Sequence, residues 1–217
     1  MSARDRILSR IRAARGGASA ITEIERARVD STIRAHALGE RPATNWEVLP
    51  RFRELCIRMA STYDEVATQA DVPEAVARYL REKSLPLQAV AWPSIAKLDW
   101  SATGITVEGR PAHGDDLVGI TGTHLGVAET GTLMLLSGNE TYAATSLLPE
   151  THIAIVAASR IVATMEDAWA RTRDEIGELP RAVNFVSGPS RTADIEGILQ
   201  IGAHGPFRVH VIVTTAE

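Results

Sequence analysis

Ile153-Ala-Ile-Val-Ala157 opens the stretch 153–187, Thr164-Met-Glu-Asp167 stands near its middle, and Val183-Asn-Phe-Val-Ser187 closes it. The two outer runs are short and apolar, the pattern of strands covered on both faces. Thr164 followed three positions later by Asp167 resembles a capping box, which predicts a helix running to about Gly177. Two such strands joined by a helix read as a strand-helix-strand unit, because parallel strands need a crossover of that length.

The surrounding sequence extends this pattern. Thr132 to Leu136 and Val209 to Val213 are further apolar runs of the buried type, while Gly104 to Glu108 alternates as an exposed or edge strand does. Asp71-Val-Pro73-Glu74 supplies an N-cap and a first-turn proline for a helix to Lys83, and Leu87 to Trp92 follows as a strand. The alternation predicts an α/β fold, a Rossmann-like sandwich with a largely parallel sheet. The first seventy residues read differently. Helices are expected over Ala3–Ala14, Thr22–Leu38 and Arg51–Ala60, with a break at Gly16-Gly17, an end at Gly39 and Pro42, and a loop over 43–50. The chain is therefore divided into a helical N-terminal extension, 1–42, and an α/β domain, 43–217.

Composition narrows the function. A chain of 217 residues that is 45% hydrophobic is long enough for one sizeable core. A net charge of -4 argues against a nucleic-acid binder, which needs a concentrated basic face. Basic character is confined to the opening segment, where Arg4, Arg6, Arg10, Arg12 and Arg15 interleave with Ile7, Leu8 and Ile11. That apolar stripe is about two turns long, and it reads as a solvated helix that docks on a partner. No run is long enough to span a bilayer and none resembles a signal-peptide core, so the expectation is a cytoplasmic protein. Cys56 is the single cysteine, so neither a zinc-thiolate site nor a four-cysteine iron-sulfur cluster can be built from this chain alone. Its helix-like setting marks Cys56 as a packing residue.

Two segments carry the chemistry. In Gly119-Ile-Thr-Gly122-Thr123-His124-Leu-Gly-Val-Ala-Glu129-Thr130-Gly131-Thr132, small and hydroxylated residues surround one carboxylate at the entry to an apolar strand. The glycines precede the strand and G-x-G-x-x-G is absent, which removes the usual dinucleotide route. What remains is backbone open to a ligand at Gly122 and Gly131, hydroxyls on Thr123 and Thr130, and Glu129. Two readings of Glu129 stay open: a desolvated carboxylate suited to proton transfer or acyl attack, or a cap on the amides of a tight turn.

The second segment, Gly188-Pro-Ser190-Arg191-Thr192-Ala-Asp194-Ile-Glu196, follows a strand and has the order of an anion site, with a helical turn expected after Thr192. Arg191 suits a carboxylate or phosphate held by two parallel hydrogen bonds. A plain turn capped by Ser190 or Thr192 is the competing reading. His204, bent between Gly202 and Gly205, is the histidine best placed to touch a ligand, whereas His152 reads as a histidine bonded to backbone. His124, His152 and His204 have no metal-ligand spacing, and no nucleophile elbow is present.

These same residues carry a resemblance. Gly122-x-x-x-Gly126-x-Ala-Glu-Thr-Gly-Thr, Ser146-Leu-Leu-Pro149-x-x-His152-Ile, and Gly188-Pro-Ser-Arg-Thr-Ala-Asp-Ile-Glu196 with Gly202-x-His204-Gly-Pro206 resemble the LUD-domain family of lactate utilization protein C. The resemblance implies a fold like that of the superfamily of ribose-phosphate isomerase, glucosamine-phosphate deaminase and CoA transferase. It also implies a non-redox subunit of a three-protein system that oxidises L-lactate to pyruvate, with iron-sulfur clusters on the partner subunits and no cofactor bound by this chain alone. In that setting Arg191 would take the carboxylate of lactate or pyruvate. The alternatives are a free-standing acyl or CoA transferase, or a sugar-phosphate isomerase, using Glu129, and a sensor of small anions that docks through its basic first helix.

Overall fold

The structure, a computed structural model, describes residues 2–14, 22–192 and 200–216. The chain divides into two units, Met1–Ala43 and Thr44–Glu217. The first contains α1 (Ala3–Ala14) and α2 (Glu23–Ala35), neither of which buries a residue. Thr22 and Glu25 form a reciprocal capping box at the start of α2. That helix stops three residues before the expected Leu38, because His36 turns into the left-handed region at φ 44°.

The second unit is built on a six-stranded sheet in which every pairing is parallel. Its strands, in spatial order, are β1 (Thr62–Val66), β12 (Arg208–Thr214), β7 (Thr151–Ala157), β4 (Val118–Gly122), β2 (Gln88–Ala91) and β3 (Thr106–Glu108). The alternating segment β3 lies at an edge, as its pattern predicts. The central strands β4, β7 and β12 are buried almost throughout, as the apolar runs within β7 and β12 predict. Helix α4 (Val72–Glu82), with Pro73 in its first turn, packs on β1 and β12. The short helices α5 (Pro93–Ala96) and α6 (Ala144–Leu147) pack on β2–β4 and on β4 and β7.

A smaller sheet corrects part of the expected connectivity. Its order is β8 (Ile161–Val162), β5 (Leu125–Val127), β6 (Thr132–Leu136) and β9 (Val183–Val186), with antiparallel pairs on both sides of β6. The stretch 153–187 therefore does not form one strand-helix-strand unit. Its first strand, β7, lies in the large sheet, its last, β9, lies in the small one, and α7 (Met165–Ile176) packs on β5 and β8. Strand β9 is half-buried with Phe185 exposed, which departs from the strand covered on both faces that its apolar run predicts. Helix α7 does start at the predicted capping box, where Thr164 Oγ1 accepts from the Asp167 amide at 3.2 Å.

Two strands of the large sheet, β1 and β4, had no sequence expectation. Gly119 breaks the apolar run of β4, yet a Cβ there would meet the Thr145 carbonyl oxygen at 2.1 Å, so α6 can approach only over glycine. Helix α3 (Val48–Arg58) starts three residues earlier than expected and sets Phe52 against Gly126, where a Cβ would come within 3.1 Å of the ring.

Candidate functional site

Two neighbouring strands of the large sheet, β4 and β7, each leave it at their carboxyl ends and continue into the small sheet as β5 and β8. The first crossing is Thr123-His124; the second is the turn Ala158–Arg160. Between these crossings and the large sheet lies a cleft of about 460 Å³, a volume typical of small-molecule sites. In parallel sheets ligands gather beyond the carboxyl ends of the strands, where connections diverge and leave a crevice.

The lining follows from that position. Trp92 comes just after β2, Gly122 and Thr123 from the end of β4, Ile155 and Ala157 from β7, Thr214 from β12, and Gln69 from just beyond β1. Leu136, Thr141, Ser94 and Ile95 close other sides. Trp92 is fixed by its indole N–H, which donates to the Tyr142 carbonyl at 3.1 Å. Gly122 borders the Trp92 ring, with which a Cβ there would be in ordinary contact at 3.5 Å. Thr123 Oγ1 is buried, with no hydrogen-bond partner among the described residues.

Arg160 is the one arginine or lysine among the described lining residues. Its Nε donates to the His124 carbonyl at 2.9 Å, tying the two crossings together. Its Nη1 and Nη2 grip Oε1 and Oε2 of Glu175 at 2.6 and 2.7 Å, a bidentate fork. Arg171 shares Glu175 Oε1 at 2.8 Å. Hydrogen bonds from Arg160, then from Arg171, bring the Glu175 carboxyl down to about 2.

His124 is held in one state. Arg160 only donates, so His124 Nδ1, 3.3 Å from Arg160 Nη2, is the acceptor. The ring proton then sits on Nε2 and faces Thr172 Oγ1 at 3.1 Å, and the Thr172 hydroxyl donates onward to the Met134 sulfur. Burial first, and then the Arg160 charge, lower the His124 pKa below its ordinary value. With both nitrogens engaged, the ring orients the wall of the cleft.

The residues singled out from sequence fall in three places. Gly122 and Thr123 line the cleft. Thr130, Gly131, Gly188 and Arg191 gather near the end of α3. Gly131 has φ +63°, and a Cβ there would press on the Leu55 carbonyl carbon at 2.5 Å; Gly188, at φ +73°, faces the Met59 carbonyl oxygen, which a Cβ would meet at 2.0 Å. Arg191 Nη2 donates to that same Met59 oxygen at 2.7 Å. Thr130 Oγ1 bonds Thr132 Oγ1 at 2.7 Å, and Thr132 in turn bonds Ser187.

Ser190 and His204 belong to the third place. The Ser190 amide donates to the Pro206 carbonyl at 2.9 Å, and the exposed His204 borders a hollow with Leu147, Phe207 and Arg208 near the amino ends of β7 and β12. Thr192 pairs with Gln200 in the ribbon β10 (Arg191–Thr192) and β11 (Gln200–Ile201). The helical turn expected next, with Asp194 and Glu196, lies outside the described residues.

Glu129 lies outside the cleft lining. Its Oε1 accepts the Met165 amide, at 2.8 Å, in the first turn of α7, so it caps a helix and not its own turn. His152 is fully buried and bonds the Thr121 hydroxyl at 2.8 Å, correcting the backbone partner expected for it. Sequence reasoning passed over Trp92, Arg160, Gln69 and Thr214, although each stands at or just beyond the carboxyl end of a parallel strand. That position was the available signal.

The profile of a family described as the LUD domain matches residues 49–214. Lactate utilization protein C of Geobacillus sp. (strain WCH70) is 45% identical over 101 residues, covering 45% of this chain and 42% of that protein. The protein of the same name from Shouchella clausii is 46% identical over 98 residues, with 44% and 43% covered, and that from Bacillus subtilis is 41% identical over 101 residues, with 45% and 42% covered. The matched segment thus spans less than half the length of these relatives. A crystal structure of a DUF162 family protein from Deinococcus radiodurans superposes with a TM-score of 0.56 at 24% identity, over 80% of this chain and 99% of that one, and shows the same fold. No helix among the described residues is long and apolar enough to cross a membrane.

Proposed function

Because the chain belongs to the LUD-domain family, we propose that it serves lactate utilization as a non-redox subunit, acting with iron-sulfur partners that oxidise L-lactate to pyruvate. Oxidation releases two electrons and two protons, one proton from the hydroxyl-bearing carbon and one from its hydroxyl, and the electrons would pass to the clusters of the partners. The single, buried Cys56 supports that division of labour, since four-cysteine clusters need ligands this chain lacks. The cleft at the carboxyl ends of the parallel strands is the small-carboxylate site.

The observation that carries this reading is the family match over residues 49–214, with the cleft lying inside it. The acyl-transfer alternative finds no support in the geometry around Glu129, which faces the α7 amides.

Dye-coupled lactate oxidation by the cluster-bearing partners, with and without this chain, tests the role. Activity should require the chain, and Gly122→Val, which crowds the cleft beside Trp92, should lower it while leaving the fold intact. Lactate oxidation that is unchanged on omitting the chain refutes the proposal.

A further inference from the structure

Arg160, the one arginine or lysine among the described lining residues of the cleft, is paired with Glu175, which is not itself a lining residue, and no aspartate or glutamate is among those described lining residues. An anionic ligand entering that cleft therefore has one cation to meet, and it finds the fork of that cation already filled by a carboxylate. The geometry is that of a bound carboxylate: both guanidinium Nη groups engage it end-on at 2.6 and 2.7 Å, with Nε left to hold the His124 carbonyl.

Glu175 is also anchored independently. Arg171, one turn earlier on α7, pairs with Glu175 Oε1 at 2.8 Å and is steadied by the Ser159 carbonyl at 3.0 Å. Withdrawal of Glu175 from Arg160 thus leaves it paired and costs one ion pair, not an isolated charge. Arg160 keeps its hold on the His124 carbonyl through Nε, so its guanidinium stays in place while its partner changes. Side-chain exposures of 27% for Arg160 and 34% for Glu175 make the pair reachable from solvent.

We infer that Arg160 is the carboxylate receptor of the cleft and that Glu175 is a built-in competitor, occupying the fork until the carboxylate of a small organic acid displaces it. This rests on the reading of the cleft as the ligand site given above. It assigns to Arg160 the role that the sequence suggested for Arg191, whose Nη2 donates to the Met59 carbonyl. The competitor keeps the site from accumulating weakly held anions, because a ligand must offer contacts with the Trp92 and Thr123 side of the cleft as well as a charge.

The test is direct binding of pyruvate to the full chain by ligand-observed NMR, with uncharged methyl pyruvate as the control. Glu175→Gln removes the competing charge and should tighten pyruvate binding about three- to fivefold, the scale of one partly exposed ion pair. Glu175→Asp, which shortens the reach, should tighten it by less, and Arg160→Lys, which keeps the charge and loses the fork, should weaken it about tenfold. Methyl pyruvate should respond to none of these changes. Equal pyruvate affinity in wild type and Glu175→Gln overturns the inference, as does an ester that follows the acid. Failure of pyruvate to bind any of these proteins also overturns it, while the role in lactate oxidation is judged separately by the omission assay.

Discussion

Replacing Gly131 with alanine places a methyl carbon 2.5 Å from the Leu55 carbonyl carbon and 2.6 Å from the Cys56 amide nitrogen, both backbone atoms of α3. Two costs add. A φ of +63° costs an L-residue about 1–2 kcal/mol, and driving a helix backbone away from a packed sheet costs about 1–3 kcal/mol more. Gly104→Ala separates them, because Gly104 has φ +73° and nothing within 4 Å of the added carbon. It should lose only the conformational part.

The expected loss is thus about 2–5 kcal/mol for Gly131→Ala and about 1–2 kcal/mol for Gly104→Ala. A gap of 2 kcal/mol corresponds to about 4–8 °C in Tm for a protein of this size. Urea unfolding followed by far-ultraviolet circular dichroism measures both, with Gly188→Ala, aimed at the Met59 carbonyl, expected to group with Gly131→Ala. Equal losses at Gly131 and Gly104, within about 0.5 kcal/mol, would refute the packing account. The Gly131 turn would then have to be reconsidered as a surface kept bare for a ligand.

Three further outcomes are expected. His152 and His210 are both brought down to about 4 by burial, so between pH 4 and the ordinary histidine value of about 6.5 the unfolded chain binds more protons than the folded one. Stability should therefore be full above about pH 6.5 and fall as the pH is lowered toward 4; urea midpoints that stay flat across this window would contradict it. Glu129→Gln keeps an acceptor for the Met165 amide and loses only the charge at the α7 N-terminus, so it should cost at most about 1 kcal/mol and leave activity in the lactate assay near wild type. Abolished activity with unchanged stability would return Glu129 to the chemistry. Cys56 is buried with its thiol pushed up to about 12, so a thiol reagent should label it only after denaturant is added, and rapid labelling of the native protein would count against this burial.

Local signals were readable wherever one short segment held all the information. The Thr164 capping box, the first-turn Pro73 and the apolar runs of β7 and β12 each announce an element through their own neighbours. The site was less legible. Glycines and hydroxyls at 119–132 suggested one ligand surface, yet Gly122 faces the cleft, Gly119 makes room for α6, and Gly131 makes room for α3. A glycine reports that something comes close, and only the fold says whether that is a ligand or another piece of backbone.

By itself, the sequence determined that the second unit would be α/β with a largely parallel sheet and that this chain cannot supply four cysteine ligands. Period, caps and composition are properties of contiguous residues. Tertiary structure alone decided that the apolar strands divide between two sheets, that Glu129 caps a helix starting at Met165, and that Arg191 is held by Met59. It also decided the cleft, assembled from Gln69, Trp92, Thr123, Arg160 and Thr214. These residues lie far apart along the chain and meet because parallel strands finish at one end of the sheet. Distances of that kind are fixed by pairing and packing between segments, which no local window of sequence records.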